Sequence, residues 1–236
     1  GITIFSKQAV MKWKDMELTL LDTPGHVDFS AEMERVLQVL DYAVLVISGA
    51  DGVQGHTVTL WRLLKRYGVP VFLFVNKMDR EGTDRDALMA ELKNRLDEGC
   101  TDFERISEGE PDALESLAVC DDEMLEEYLE AGNIARDTLR RVVAERKVFP
   151  CWFGSALKAQ GITELLDGIR EYSICPEYSE TFGAKVYKIA RDPQGNRLTY
   201  LKVTGGDLKV KETLPGIDGK VNQIRIYSGD KYELAQ

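Results

Sequence analysis

The sequence predicts an α/β protein with a mostly parallel sheet and helices on both faces, followed by part of an all-β barrel domain. Three observations favour this fold class. Short apolar runs alternate with helical periods as far as Cys175-Pro176, each run ends in loop-forming residues, and the pattern then changes to short strands separated by turns. Strands that alternate with helices indicate βαβ units, whose strands lie parallel in one sheet.

The elements of the first part follow from their hydrophobic patterns. Apolar runs of about four to eight residues with turn signals on both sides are typical of buried strands. Apolar residues three or four positions apart are typical of a helix that packs one face on a core. The predicted strands are Glu17–Leu21, Tyr42–Ser48, Pro70–Val75 and Val148–Phe153. The predicted helices are Phe29–Leu40, Thr57–Tyr67, Ala87–Leu96, Asp137–Arg146 and Ile162–Tyr172.

A second domain is predicted near the end of the sequence. Gly, Pro, Asp and Asn residues separate its short strands, as expected for the turns of an all-β barrel. We expect residues 1–176 to form the α/β domain and residues 182–236 to form the start of a barrel that is incomplete at Gln236. The predicted barrel strands are Ala184–Ala190, Leu198–Thr204, Leu208–Leu214 and Val221–Tyr227.

The negative charge of the chain is concentrated in one segment. The 236 residues carry a formal net charge of -10, but Glu81–Gly132 alone contains 18 acidic and 4 basic residues. The remaining chain is slightly basic, so the overall acidity does not exclude an RNA partner. We expect residues 81–146 to form an acidic helical insertion. It is either a solvated surface or a docking face for an unidentified basic partner.

Composition argues against several classes of protein. No apolar run approaches the roughly 18–20 residues that span a bilayer, and Gly1–Lys7 does not resemble a signal peptide. The four cysteines are too far apart in sequence for a zinc site, and their number is ordinary for reduced thiols. With only two histidines, a His-rich metal site is also excluded. We expect a cytoplasmic protein without membrane or DNA partners.

Three short segments lie where predicted strands end. They are Asp22-Thr23-Pro24-Gly25-His26, Asn76-Lys77-Met78-Asp79 and Gly154-Ser155-Ala156-Leu157. In open α/β sheets, ligands bind at the carboxyl ends of the strands. Each segment alone is a weak signal, but all three in this order predict one shared ligand site.

The second and third segments carry groups that suit a guanine base. Guanine presents two N–H donors on its Watson–Crick edge, so the Asp79 carboxylate can accept both, whereas adenine offers no matching pair. Asn76 can bridge acceptors of guanine to the neighbouring loops, and the alkyl stem of Lys77 can cover the flat face of the base. Backbone N–H groups around Ser155 and Ala156 can donate to the guanine oxygen.

The first segment carries groups that suit a magnesium ion and a terminal phosphate. Asp22 can hold Mg²⁺ through water, because Mg²⁺ keeps several waters and takes few carboxylates. The N–H of Gly25 can approach the phosphate, because glycine has no side chain. His26 can orient an attacking water molecule, and the alternative is an ordinary surface histidine.

On these residues the chain resembles the translational GTPases, in the group that contains elongation factor G and the tetracycline-resistance ribosomal protection proteins. Asp22–His26 is similar to the third GTPase motif of that group, Asn76–Asp79 to the fourth and Gly154–Ala156 to the fifth. Gly1-Ile2-Thr3-Ile4 resembles the end of switch one, which implies that Thr3 and Asp22 coordinate Mg²⁺. The resemblance implies a P-loop-GTPase-type fold with GTP or GDP bound. The implied nucleotide contacts are Asp22, Thr23, Pro24, Gly25, His26, Asn76, Lys77, Asp79, Ser155, Ala156 and Leu157.

The length of one insertion favours a subfamily, and one motif of the family is absent. The insertion between Asn76 and Gly154 is shorter than that of elongation factor G, so the chain resembles the ribosomal protection proteins more. The phosphate-binding loop G-x-x-x-x-G-K-[ST] is absent from this sequence. We therefore expect a piece of a longer protein that is inactive alone, with the family's first strand missing and an unpaired slot beside Tyr42–Ser48.

The resemblance also implies a role for the intact protein. It would hydrolyse GTP on the ribosome, with ribosomal RNA and proteins as partners, and would dislodge tetracycline from the small subunit. Two alternatives stay open. One is an elongation factor G or release factor paralogue of the same enzyme class. The other is a scaffold that does not hydrolyse GTP and docks a partner through the insertion or the barrel.

Overall fold

A computed structural model describes residues 7–23, 30–214, 219–229 and 231–235 of the chain. The chain divides into two compact units. One unit is drawn from Gly1–Val39 together with Pro176–Gln236, and the other is Leu40–Cys175. The first unit contains three antiparallel hairpins, and the second contains a parallel sheet with its helices.

The described ranges contain ten strands and eight α-helices. The strands are β1 (Lys7–Trp13), β2 (Met16–Asp22), β3 (Ala43–Ser48), β4 (Val71–Asn76), β5 (Cys100–Asp102), β6 (Phe149–Phe153), β7 (Gly183–Arg191), β8 (Arg197–Gly205), β9 (Ile224–Ser228) and β10 (Lys231–Ala235). The helices are α1 (Ser30–Leu37), α2 (Gly55–Arg66), α3 (Arg85–Arg95), α4 (Phe103–Glu108), α5 (Pro111–Ala118), α6 (Asp122–Ala131), α7 (Arg136–Ala144) and α8 (Ile162–Tyr172).

The sheet of the Leu40–Cys175 unit has the strand order β3-β4-β6-β5, and every neighbouring pair is parallel. Strand β4 lies inside this sheet, and its residues Phe72 and Leu73 are 0% exposed. An uninterrupted apolar run such as that of β4 is typical of a parallel strand covered on both faces. The predicted α/β fold class with a mostly parallel sheet is confirmed.

Aromatic rings fill the core around this sheet. The rings of Trp61 on α2 and Phe149 on β6 pack edge to face with their centroids 4.6 Å apart. Helix α8 approaches Trp152 of β6 through Gly168, where a Cβ atom would collide with the indole ring. Close packing of this kind holds β6, and therefore the loop that follows it, in one position.

The segment between β4 and β6 contains β5 and the helices α3 to α7. Ion pairs between buried carboxylates and partly exposed cations connect its elements. The Asp121 side chain is 7% exposed and lies 2.8 Å from Arg141 and 2.6 Å from Lys147. The Asp102 carboxylate accepts two hydrogen bonds from the Arg85 guanidinium, at 2.7 and 2.6 Å. Because a buried carboxylate without a partner is costly, these pairs fix the helices of the segment in place.

Strand β2 differs from the prediction. The sequence predicts Glu17–Leu21 as a buried strand of the parallel sheet, but β2 pairs antiparallel with β1 in a separate hairpin, and Leu20 is 45% exposed. The turn between the two strands is Lys14-Asp15, and Lys14 has a φ of 54°. Asn-Gly and Asp-Gly are the usual signals of such a turn, and neither is present here, so the pattern did not reveal the hairpin.

The barrel region forms two antiparallel hairpins, β7–β8 and β9–β10. The predicted strand Leu208–Leu214 is wrong, since the segment holds turns and one isolated bridge between Thr213 and Lys220. Lys211 has a φ of 72°, a left-handed conformation that interrupts an extended strand. Strand β10 lies beyond the last predicted strand.

The described helices and the four cysteines can be compared with the composition. None of the helices in the described part of the chain combines the length and the apolar character needed to cross a membrane. Cys100 and Cys151 are buried in the neighbouring strands β5 and β6, and Cys175 is exposed. All four cysteines are free thiols.

Candidate functional site

The loops after β4 and β6 lie side by side, because these strands are parallel neighbours in the sheet. The N–H of Gly154 donates to the Val75 carbonyl at 2.9 Å, and the N–H of Met78 donates to the Gly154 carbonyl at 2.9 Å. These bonds join Asn76–Asp79 to Gly154–Leu157. The structure therefore brings together two of the three segments that the sequence predicts as one site.

Asn76 connects the two loops through its side chain. Its Oδ1 atom accepts the N–H of Lys77 at 2.7 Å and the N–H of Ala156 at 2.9 Å. Lys77 has a φ of 66°, a left-handed conformation that is unusual for a residue with a side chain. The bond from Asn76 stabilises this conformation, which turns the chain sharply at the end of β4. With Oδ1 bound inside the protein, the NH₂ group of Asn76 is the part of the amide that can donate to a ligand.

A short backbone bridge shapes the loop after β6. The N–H of Ser155 donates to the Gln160 carbonyl and the N–H of Gln160 donates to the Ser155 carbonyl, both at 3.0 Å. At Gly154, a Cβ atom would collide with the Gln160 carbonyl, so the crossing requires glycine. Ser155 is 1% exposed, whereas Leu157 is 90% exposed. Leu157 therefore lies at the surface of the site and does not pack inside it.

The backbone donors of this loop are already engaged. The N–H of Ser155 is bonded to Gln160, and the N–H of Ala156 is bonded to Asn76. The sequence predicts that these N–H groups donate to a guanine oxygen. For Ala156 to do so, its N–H must leave the Asn76 oxygen or be shared with it.

Asp79 supplies the negative charge of the site. Its side chain is exposed, and a hydrogen bond with the Ser155 side chain is the largest cause that lowers its pKa below the ordinary value. The positive charges of Lys158 and Arg80 lower the pKa of Asp79 further. The carboxylate is therefore ionised at neutral pH and can accept two hydrogen bonds at once.

Sequence reasoning missed three residues that support the two loops. The Thr83 hydroxyl lies 3.0 and 2.9 Å from the carbonyls of Met78 and Arg80, can donate its one proton to either, and closes the turn after Asp79. Gln160 forms the bridge to Ser155, and Lys158 lies close enough to Asp79 to affect its pKa. The glycine at position 161 was an available sequence signal for a turn after Gln160, and it has a φ of 75°. A lone threonine such as Thr83 carries no comparable sequence signal.

The remaining predicted residues belong to the first segment. Asp22 is the last residue of β2 and is exposed, and Thr23 follows it. Both residues belong to the unit that contains β2, not to the unit that contains the two joined loops. The predicted residues Thr3, Pro24, Gly25 and His26 lie outside the described residues. Convergence of all three segments on one ligand remains a prediction.

The fit of a magnesium ion rests on Asp22. Within the described ranges, no group of three His, Cys, Asp or Glu side chains is arranged to hold a metal ion. Mg²⁺ does not need such a group, because it commonly takes one or two carboxylates and completes its shell with water and phosphate oxygens. The exposed carboxylate of Asp22 at a strand end is a ligand of this type.

The parallel sheet, the Asn-Lys-Met-Asp loop and the Ser-Ala loop at neighbouring strand ends together define the class of GTP-binding α/β domains. Comparison with known families agrees with this class: residues 1–174 match the family described as the elongation factor Tu GTP binding domain. The chain belongs to this family, and therefore to the translational GTPases.

Two relatives of the chain have different named roles. Elongation factor G of Ureaplasma urealyticum serovar 10 is 32% identical over 274 residues, which covers 88% of this chain and 40% of the relative. The oxytetracycline resistance protein of Streptomyces rimosus is 35% identical over 263 residues, which covers 96% of this chain and 40% of the relative. The chain thus spans 40% of the length of these relatives. The two identities are too similar to separate the two roles.

A solved structure shows the same fold. The crystal structure of a protein from Thermus thermophilus superposes with a TM-score of 0.85 at 23% sequence identity. The superposition covers 100% of this chain and 43% of that chain. Together with the observed sheet, this similarity confirms the predicted fold.

Proposed function

We propose that this chain carries the guanine-nucleotide site of a ribosome-associated translational GTPase. One observation carries the proposal: the ionised Asp79 held by Ser155 lies beside the hydrogen bond between Asn76 and Ala156, at neighbouring strand ends. This arrangement places an acceptor for two N–H groups next to an amide and a backbone donor. Membership of the GTP-binding family supports the same ligand.

The base is read by hydrogen bonds and by one flat contact. Asp79 accepts the N1–H and the 2-amino group of guanine, whereas adenine would leave the carboxylate unpaired. When guanine binds, the N–H of Ala156 exchanges its bond with Asn76 for one with the guanine oxygen, and the NH₂ of Asn76 donates to an acceptor of the base. The alkyl stem of Lys77 covers the face of the ring.

In this proposal, the segment Asp22–His26 supplies the groups that act in GTP hydrolysis. Water attacks the γ-phosphate in line with the leaving oxygen, with His26 orienting that water. The N–H of Gly25 contacts the terminal phosphate and lets the loop sense it. Thr3 and Asp22 would hold Mg²⁺, which neutralises phosphate charge when bound. We assign Thr23 and Pro24 to the nucleotide contacts of the same segment.

The intact protein acts in the cytoplasm on ribosomal RNA and ribosomal proteins, and we place it with the tetracycline-resistance ribosomal protection proteins. The short insertion between Asn76 and Gly154 supports this role, and the oxytetracycline resistance protein is 35% identical to the chain. The 32% identity to elongation factor G supports the alternative of an elongation factor. In both cases residues 1–176 form the nucleotide domain, residues 81–146 its acidic insertion, and residues 182–236 the start of the barrel domain.

Nucleotide competition tests the binding proposal. The full-length gene product is loaded with fluorescent GDP, and unlabelled nucleotides compete for the site. We expect GDP to compete at least about 100-fold better than ADP, because a site built to pair two N–H donors rejects a base that lacks them. Equal competition by ADP would contradict the proposal.

Expression of the same gene in a tetracycline-sensitive bacterium separates the two proposed roles. Resistance to tetracycline would support the ribosomal protection role, and unchanged sensitivity would support the elongation factor alternative.

A further inference from the structure

The loop after β3 is held by two side chains of helix α3. Val53 in this loop is 2% exposed, and both of its backbone polar groups are bonded to α3. Its N–H donates to Oε1 of Glu91 at 3.2 Å, and its carbonyl accepts a hydrogen bond from Nη1 of Arg95. Glu91 and Arg95 also pair with each other at 3.0 Å. The two side chains form a clamp around Val53, one on the peptide group before it and one on the peptide group after it.

The shape of the loop is adapted to this clamp. The N–H of Gly52 donates to the Ser48 carbonyl at 2.9 Å, which closes a tight turn. Gly52 has a φ of 65°, and a Cβ atom there would lie 2.5 Å from Oε2 of Glu91. Glycine at this position therefore satisfies the backbone conformation and leaves room for the carboxylate.

The other end of the same loop contacts the Asn76–Asp79 loop. The N–H of Gly49 donates to the backbone carbonyl of Asn76 at 2.7 Å. A Cβ atom at Gly49 would lie 2.8 Å from the sulfur of Met78, so the two loops are in close contact. A continuous series of contacts therefore runs from Glu91 and Arg95 through the loop after β3 to Asn76.

We propose that Glu91 and Arg95 are positioning residues for guanine recognition, acting through the loop after β3 on Asn76 and Asp79. The inference rests on the proposed function, because it assigns these residues to the same nucleotide site. Both side chains lie on α3, outside the two loops that form the proposed site. By fixing Val53, the clamp keeps Gly49 against Asn76 and so keeps the Asp79 carboxylate where both N–H groups of guanine can reach it.

Selectivity between GDP and IDP measures this effect directly. IDP lacks the 2-amino group that Asp79 accepts, so the ratio of the two affinities reports how well Asp79 is placed. In the full-length gene product, Glu91→Ala and Arg95→Ala should each reduce the GDP-over-IDP ratio by about 5-fold, because each removes a charged hydrogen-bond partner of Val53. Glu91→Gln retains an oxygen for the Val53 N–H and should restore most of the ratio.

Lys93→Ala provides a matched control on the same helix. The Lys93 ammonium donates to Ser116 at 3.2 Å, within the insertion, and does not contact the loop after β3. We expect this variant to keep the wild-type ratio even if its melting temperature falls. Arg95→Lys, which keeps the charge but loses the guanidinium fork, is a milder second variant that should lower the ratio about twofold.

The outcomes are distinguishable. If the wild-type protein prefers GDP to IDP and the Glu91 and Arg95 variants lose stability but keep the ratio, the clamp is only structural and the inference is wrong. If the wild-type protein does not prefer guanine nucleotides at all, the proposed function fails and the inference fails with it. A ratio that falls in the alanine variants alone, and not in Lys93→Ala, supports the inference.

Discussion

Asn76 combines two roles at the scale of a single residue. It ends β4, and its side-chain oxygen accepts the N–H groups of Lys77 and Ala156. The first bond stabilises the left-handed backbone of Lys77, and the second connects loops that are 80 residues apart in sequence. An aliphatic residue of similar size would fill the same space and leave both N–H groups without this acceptor.

Replacement of Asn76 by alanine should therefore destabilise the protein before any ligand is considered. We expect Asn76→Ala to lower the free energy of unfolding by about 1–2 kcal/mol, because the part-buried N–H of Lys77 loses its acceptor. The N–H of Ala156 is exposed, so water can replace its acceptor. Urea unfolding followed by circular dichroism gives this value. Asn94→Ala, an exposed position on α3, is the control and should change stability little. Equal stability of Asn76→Ala and the wild type would show that the side chain does not connect the loops.

At the scale of secondary-structure elements, the acidic segment between β4 and β6 is more ordered than its charge suggests. Asp121 precedes α6 and its carboxylate accepts the N–H of Met124, a typical helix N-cap. The same carboxylate pairs with Arg141 on α7 and with Lys147. One buried side chain thus connects the start of α6, helix α7 and the chain that enters β6.

Removal of this charge should loosen the segment. We expect Asp121→Asn to cost about 1–2 kcal/mol of unfolding free energy, because an amide pairs more weakly with Arg141 and Lys147 than a carboxylate does. The cost is limited because both cations are partly exposed and keep their pairs with Glu123 and Glu145. The exposed neighbour Asp122 gives a matched control, and Asp122→Asn should cost much less. Thermal or urea unfolding measures both variants. A cost that is no larger for Asp121→Asn than for Asp122→Asn would remove Asp121 from this role.

The ion pairs of Asp121 also predict how the stability of the protein depends on pH. Hydrogen bonds from Arg141 and Lys147 hold the pKa of Asp121 well below its ordinary value of 3.8. A carboxyl group whose pKa is lowered by folding contributes its full stability above the ordinary pKa and loses it as the pH falls through the folded value. The stability difference between the wild type and Asp121→Asn should therefore be constant near neutral pH and shrink below about pH 4. A difference that grows on acidification would contradict this assignment.

At the scale of the whole molecule, the features predicted correctly are strands and loops whose signals lie in neighbouring residues of the sequence. Strands β3, β4 and β6 were placed within one residue at each end, because each is a continuous apolar run flanked by turn residues. The two loops at the ends of β4 and β6 were identified because three such segments follow predicted strands in one order, although each segment alone is a weak signal. Parallel pairing of β4 and β6 then brings the loops together.

Features that depend on distant partners were missed. The spacing of Glu91 and Arg95 is visible on α3, but their partner Val53 lies 38 residues before Glu91. Strand β5 has only three residues, too few for a periodic pattern. The hairpin of β1 and β2 depends on Lys14 adopting a left-handed backbone, which no sequence rule for lysine suggests. Tertiary contacts, and not local preference, determine these features.

The nucleotide preference of the full-length protein tests the central claim, which is that the Asp79 carboxylate beside Ser155 binds the guanine base. An amide in place of the carboxylate should disfavour guanine and favour xanthine, whose extra carbonyl accepts a hydrogen bond from the new NH₂ group. We predict that Asp79→Asn weakens GDP binding to the full-length gene product by at least about 100-fold and makes XDP the preferred ligand. Unchanged preference for GDP in Asp79→Asn would contradict the account.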